Sequence, residues 1–157
     1  MRKSRRLAIL VLGIILIFSS ILLSGCDLTP PKYQDGTYTA IQSEFAHGWK
    51  EYVVISIIND KIVSIDYNAK NPSGFIKQWD GTYMKVMNAV SRSYPNKYVR
   101  EYKRQLLETQ DPSKVQILTG ATNSGHTFIS LTEAALEHAK TGDLSVAEVE
   151  PEEEHEE

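Results

Sequence analysis

The stretch Tyr52-Val53-Val54-Ile55-Ser56-Ile57-Ile58-Asn59-Asp60-Lys61-Ile62-Val63-Ser64-Ile65-Asp66-Tyr67 decides the fold. Its first part, Tyr52 to Ile58, is a dense run of β-branched and aromatic residues, the types that suit a pleated surface. Its second part alternates, with Val63, Ile65 and Tyr67 on one face and Ser64 and Asp66 on the other. Asn59-Asp60-Lys61 between them makes a short turn, so the stretch predicts an antiparallel hairpin. Upstream, Gly36-Thr37-Tyr38-Thr39-Ala40 has the composition of a first strand. Downstream, Asn71-Pro72-Ser73-Gly74 breaks the pattern into a loop.

Helical spacing follows that loop. Trp79, Tyr83, Val86, Met87 and Val90 recur at intervals of three and four and predict a helix with one apolar stripe, which makes Trp79 and Tyr83 core residues by default. Pro95 breaks the chain before a second helix over about 96–109, with Val99, Tyr102 and Leu106 inward. Val115 to Leu118 reads as a short β-like run. A last helix is expected over about 124–140, with Phe128, Leu131, Thr132, Ala135 and Ala139 on its inner side and Gly142 placed to stop it. Antiparallel strands first and helices afterwards predict an α+β domain, a small antiparallel sheet with helices packed on one face.

The ends of the chain have a different character. Arg2, Lys3, Arg5 and Arg6 precede an almost wholly apolar run, Leu7 to Leu23, and the small residues Ser24 and Gly25 then precede Cys26, the only cysteine. A basic head, an apolar middle and small residues at the cut describe a secretory signal peptide over residues 1–25. An uncleaved membrane anchor is the other reading of the run, which is short for a span of about 20 apolar residues. Residues 26–32, with Pro30 and Pro31, read as a stiff tether. The folded domain is expected over 33–141, and the acidic segment 142–157 as a disordered tail.

Without the leader roughly 130 residues remain, enough for one domain with one core. The 17 basic residues lose the leader's four, which leaves 13 against 20 acidic groups, a net charge of −7. Such a balance argues against a nucleic-acid partner, since phosphate contact needs a basic face. The four histidines show no metal-binding spacing, so no metal is expected. No Ser-His-Asp pattern or nucleophile elbow supports a hydrolase.

The stretch with chemical content is Thr119-Gly120-Ala121-Thr122-Asn123-Ser124, which joins a short extended run to the last helix through small residues. Gly120 can take backbone angles closed to other residues. Asn123 or Ser124 can cap the helix. The helix N-terminus favours an anion, most naturally a phosphate, with the Thr122 hydroxyl beside it. The same residues also read as a plain joint with a good N-cap. His47-Gly48-Trp49 reads either as a turn beside a ligand, with Trp49 covering a flat ring, or as a turn whose Trp49 closes the core. His126, in the first turn of the last helix, reads as a solvated surface residue.

Ser24-Gly25-Cys26 resembles the lipobox of bacterial lipoproteins. In that family the cysteine receives a diacylglycerol and the peptide is cleaved before it, so the resemblance implies lipidation of Cys26 and a cell-membrane location on the extracytoplasmic face. The order of Asp35-Gly36-Thr37-Tyr38, His47-Gly48-Trp49-Lys50, Lys61-Ile62-Val63 and Thr119-Gly120-Ala121-Thr122 resembles that of FMN-binding-domain proteins. These include the flavin-carrying subunits of sodium-pumping quinone reductases and Rnf-type complexes, and the membrane-anchored lipoproteins described as major membrane immunogens. The resemblance implies FMN as cofactor, held by Thr119, Gly120, Ala121, Thr122, Asn123 and Ser124 with His47 and Trp49 nearby. It implies an FMN phosphoester on Thr122, installed from FAD by a flavin transferase, and an electron carrier with a quinone-linked donor and an external acceptor. The flavinylation pattern has an Asp six residues before the acceptor Thr, where this chain has Gln116. That departure leaves a second expectation, a surface binding or structural lipoprotein that keeps the fold without flavin.

Overall fold

The computed structural model describes residues 30–151. The leader 1–25, Cys26 and the first part of the tether lie outside the described residues, as do residues 152–157 of the acidic tail. No helix among the described residues is long and apolar enough to cross a membrane.

The hairpin forms as the second and third strands, and the first strand pairs beside the second in the same sheet. β1 runs over Gly36–Gln42, β2 over Lys50–Ile58 and β3 over Lys61–Lys70, each antiparallel to the next. The β2–β3 turn is a two-residue one: Asn59 and Asp60 both take left-handed φ values of 52° and 63°, which match the twist of the flanking strands. Two carboxylates fasten the entry of the chain to that turn. The Asp35 Oδ1 accepts from the Asn59 N–H (2.8 Å), and the Asp60 Oδ1 accepts from the Tyr33 N–H (2.7 Å).

The alternation expected for the second arm is broken at Val63. Ser56 pairs with Ser64 but Ile57 pairs with Ile62, so Val63 is the extra residue of a bulge. Ile62, Ile65, Tyr67 and Ala69 turn inward, while Val63 is exposed. β3 is an edge strand. Its open main chain at Ile62 is covered by the side-chain amide of Gln110, whose Oε1 accepts from the Ile62 N–H (2.7 Å) and whose Nε2 donates to the Ile62 carbonyl (3.1 Å).

Three helices follow: α1 over Gly81–Ser91, α2 over Pro95–Thr109 and α3 over Thr122–Thr141. α2 packs on β3, and α3 packs on β1 and β2. Every residue of the inward set expected for α2 and α3 is buried, namely Val99, Tyr102 and Leu106 with Phe128, Leu131, Thr132, Ala135 and Ala139; Pro95, Tyr98, Gly125 and Leu136 are buried as well. Phe128 joins the layers, with ring centroids 4.8 Å from Tyr67 and 5.6 Å from Tyr102. Gly142 ends α3 in the left-handed region at φ 75°, where a Cβ would also run into the Gln34 side chain.

Three elements differ from the sequence expectation. α1 is a helix but buries none of its residues; Trp79, Val86 and Val90 of the apolar stripe are exposed, because α2 and α3 already cover the sheet. Val115 to Leu118 is not a strand; the buried Val115 side chain fixes it while its backbone pairs with no strand. The acidic segment is not wholly a tail. Ala147–Val149 forms β4, parallel to β1 with Ala40 opposite Ala147, so the sheet is mixed, in the order β3-β2-β1-β4. The free edge of β1 offers main-chain groups, and Ala147 is small enough to be buried there. The α+β class stands with that change.

Leu106 is fully buried between α2 and the sheet. Leu106→Ala is expected to lower the unfolding free energy by about 2–5 kcal/mol, the range for a leucine-sized cavity that relaxes only in part. Urea denaturation of the domain measures it, and a change under about 1 kcal/mol would contradict this account of the core.

Candidate functional site

At the end of the sheet remote from the β2–β3 turn, a cleft of about 420 Å³ opens between the end of β1, the start of β2, α1 and the first turn of α3. Its walls come from four stretches of chain. The first is a tight turn before β2, where His47 and Gly48 both have positive φ (50° and 81°) and Ala46 and Trp49 exchange both main-chain hydrogen bonds at 2.8 and 2.9 Å. That geometry turns the chain within two residues and brings His47 and Trp49 to the cleft wall.

The second is the turn into α3. Gly120 has φ 79°, and a Cβ there would lie 2.6 Å from the Ser91 Cβ, so both the backbone angle and the space demand glycine. The Tyr102 hydroxyl holds this turn from beneath, donating to the Ala121 carbonyl (2.9 Å) and accepting from the Leu118 N–H (3.2 Å). Gly125 lets the helix lie on that hydroxyl, 2.8 Å from where its Cβ would be. The helix starts at Thr122, with Ala121 as its N-cap and no side-chain cap bond. The expected caps do other things: Asn123 lies in the first turn, and the Ser124 hydroxyl donates to Glu51 (3.0 Å). Gly120, Ala121, Thr122, Asn123 and Ser124 all line the cleft; Thr119 is exposed and does not. Thr122 and His126 are exposed, and Gln116 lies on the surface away from the cleft lining.

The third and fourth walls come from α1 and from a buried polar cluster. Tyr83 and Met87, one turn apart on α1, face the cleft, which corrects the reading of Tyr83 as a core residue; Trp79 is exposed. Beneath them sits a buried polar cluster. Glu51 on β2 is 7 % exposed and Lys77 is 8 % exposed, and their side chains pair at 3.2 Å. The Glu51 carboxylate also accepts from the Tyr67 hydroxyl and from Ser124, and its own N–H is received by the Gln42 Oε1 (2.8 Å). The Tyr67 hydroxyl has a second acceptor, the Ser124 carbonyl oxygen at 2.7 Å, so one proton serves two acceptors. The Lys77 ammonium lies 5.7 Å from the Trp49 ring centroid and 5.6 Å from that of Tyr83, within the range of cation–π attraction.

Such a cleft has an aromatic side, a cationic and carboxylate floor, and an uncapped helix N-terminus at its rim. It can hold a flat ring against Trp49 and Tyr83 and an anionic group at the start of α3. Among the described residues no group of three or more His, Cys, Asp or Glu side chains could hold a metal ion.

The architecture is shared with a solved structure. The crystal structure of the CPE2226 protein from Clostridium perfringens superposes with a TM-score of 0.73 at 30 % identity, over 76 % of this chain and 99 % of that one. The two share the same small α+β fold. In sequence, the 15 kDa lipoprotein of Treponema pallidum (strain Nichols) is 34 % identical over 125 residues, 79 % of this chain and 87 % of that protein. The chain belongs to the family of that lipoprotein. No protein-family model matches it.

The polar floor gives the domain an alkaline limit. Burial, with the neighbouring Glu51 charge adding to it, raises the Tyr67 hydroxyl well above its ordinary 10.0, and burial raises Tyr98 in the same direction. Burial is the largest single influence on the Lys77 ammonium and would lower it, but the charges of Glu51, Tyr98 and Tyr83 and the hydrogen bond to Glu51 together turn the net direction up. Groups with raised folded-state values contribute stability that is complete below their unfolded values and lost as pH climbs through the folded ones. Stability is therefore expected to hold up to about pH 10 and to fall above it. Chemical denaturation across pH 8 to 12 measures this, and Tyr67→Phe is expected to flatten the alkaline fall; a profile unchanged by that substitution would contradict the assignment.

Proposed function

We propose that this lipoprotein is anchored to the extracytoplasmic face of the cell membrane by acylation of Cys26, and that its domain holds FMN in the cleft and passes electrons as a one-cofactor carrier. The observation that carries the reading is that one cleft is lined both by Gly120 to Ser124 and by His47 and Trp49, segments more than 70 positions apart in the chain. Its volume, about 420 Å³, is in the range of pockets that enclose a cofactor-sized ligand.

The residues suit the group. The first turn of α3, with no side-chain cap and Thr122 exposed at the rim, offers a site for a phosphate. Trp49, Tyr83 and Met87 offer ring and thioether surface for a flat heterocycle. Bound there, FMN would supply reversible electron transfer, while the protein orients the ring and sets its electrostatic surroundings.

Thr122 is also the residue for a covalent link. Its hydroxyl would be the nucleophile toward the FMN-side phosphorus of FAD in the active site of a flavin transferase. The new bond would be Thr122 Oγ to phosphorus and the bond broken the pyrophosphate P–O, with AMP leaving with the electron pair and the hydroxyl proton going to a base of the transferase. An ester at this position leaves the phosphate at the helix terminus and prevents loss of a diffusible cofactor outside the cell. A quinone-linked donor and an external acceptor complete the carrier's partners.

A second reading is favoured by Gln116, which stands where the flavinylation pattern has Asp. In it the domain is a surface binding or structural lipoprotein without flavin. The two readings separate on purified protein. Coexpressed with a flavin transferase, the domain is expected to be yellow and to carry one added FMN by intact mass, and Thr122→Ala to lose the added mass. A colourless domain that leaves the spectrum of added FMN unchanged would establish the second reading instead.

The anchor has its own test. In a bacterium fed labelled palmitate, the wild-type chain is expected to incorporate label and Cys26→Ser to incorporate none. Equal labelling of the two would rule Cys26 out as the acylated residue.

A further inference from the structure

A buried lysine needs a reason, because this side chain is almost never fully buried unless paired. Lys77 begins a short 3-10 turn, Lys77–Trp79, after the β3 loop, and folds inward rather than toward solvent. Stability alone does not account for the pair it makes with Glu51, since well-packed apolar residues commonly serve as well as a buried ion pair. Its placement is more informative. The carboxylate of Glu51 is committed to protein donors on both oxygens: Oε1 to Lys77 and Ser124, Oε2 to Tyr67. The ammonium has three donors, of which Glu51 takes one. It also faces the rings of Trp49 and Tyr83, whose centroids are 6.1 Å apart, and lies near Tyr98; all three line the cleft.

We propose that Lys77, held against Glu51, sets the redox preference of the cleft by favouring the reduced, more negative state of a flavin ring seated beside Trp49 and Tyr83. The inference rests on the flavin reading above. A flavin ring that takes up two electrons and one proton from an external reductant gains one negative charge. A fixed ammonium in a wall shielded from water stabilises that charge more strongly than it would in bulk solvent, because the Coulomb term grows as the dielectric falls. Glu51 opposes this effect in part and positions the ammonium. Lys77 thus acts on the ring, and Glu51 acts through Lys77.

The two residues therefore predict shifts of opposite sign, which a merely structural role does not. FMN-loaded protein is titrated with dithionite beside a reference dye, and FMN stoichiometry and thermal unfolding are recorded for each variant. Lys77→Met is expected to weaken the preference for reduced over oxidised flavin by about tenfold, a midpoint lowered by about 30 mV for a two-electron couple. Glu51→Gln, which keeps hydrogen-bonding capacity but removes the opposing charge, is expected to raise the midpoint, and Lys77→Arg to leave it close to wild type. Should Lys77→Met not fold, Lys77→Gln keeps an N–H for Glu51 and carries the same test. Variants that bind one FMN per chain but shift together, or not at all, overturn this inference and leave the flavin reading standing. A wild-type protein that takes up no FMN, covalent or free, overturns both.

Discussion

Glu51 is the side chain on which the site end of this domain depends. It projects from the start of β2 into a position closed to water, where an unpaired carboxylate costs several kcal/mol. The cost is offset only because donors converge from three other parts of the chain: Tyr67 from β3, Lys77 from the turn before α1, and Ser124 from α3. Gln42 adds β1 by receiving the Glu51 N–H. One carboxylate therefore ties together the pieces that wall the cleft. Tyr67 and Lys77 are themselves buried polar groups, and among the described residues Lys77 has its carboxylate partner only in Glu51, so the cluster is stable complete and costly in part.

The turn into α3 shows the same economy of atoms by a different route. A helix entering through Ser or Asn usually satisfies its first amides with the cap's own oxygen. Here the Tyr102 hydroxyl holds the turn through main-chain atoms on both sides, Leu118 and Ala121. Holding the turn from the core side leaves its outer side to the cleft. Gly120 and Gly125 are the corresponding concessions in sequence, one to Ser91 and one to Tyr102 and Ile117. The small residues that look like a phosphate loop in the sequence are thus small for packing reasons too, and the two readings of that motif are compatible.

What could be read from sequence followed from local rules. The hairpin, the inner faces of α2 and α3, and the Gly142 stop all rest on periodicity or on a residue's own backbone preference. The failures are tertiary. Val63 leaves its alternation because a bulge shifts register there, and alternation alone carries no sign of where an extra residue sits. The stripe on α1 has the spacing of a buried face, yet the sheet has no surface left for it, so Tyr83 and Met87 meet the cleft and Val90 meets solvent. β4 lies in a segment too acidic to look structured, and pairs because β1 leaves an edge open. Of the site, the turn residues 120–124 and His47-Gly48-Trp49 were visible as small-residue and turn signals. Glu51 and Lys77 were not, since a Glu opening a strand and a Lys in a polar loop look like solvated residues until the fold buries them.

The topology also bears on how such a domain would present its cleft. The chain enters at Tyr33, whose N–H is bound by Asp60 in the β2–β3 turn. β1 then carries it seven residues along the sheet to Gln42, which lines the cleft. At about 3.3 Å per residue that strand spans roughly 20 Å. The entry of the chain and the cleft therefore lie at opposite ends of one strand, so the Asp60 contact and the Glu51 cluster fasten the sheet at its two ends.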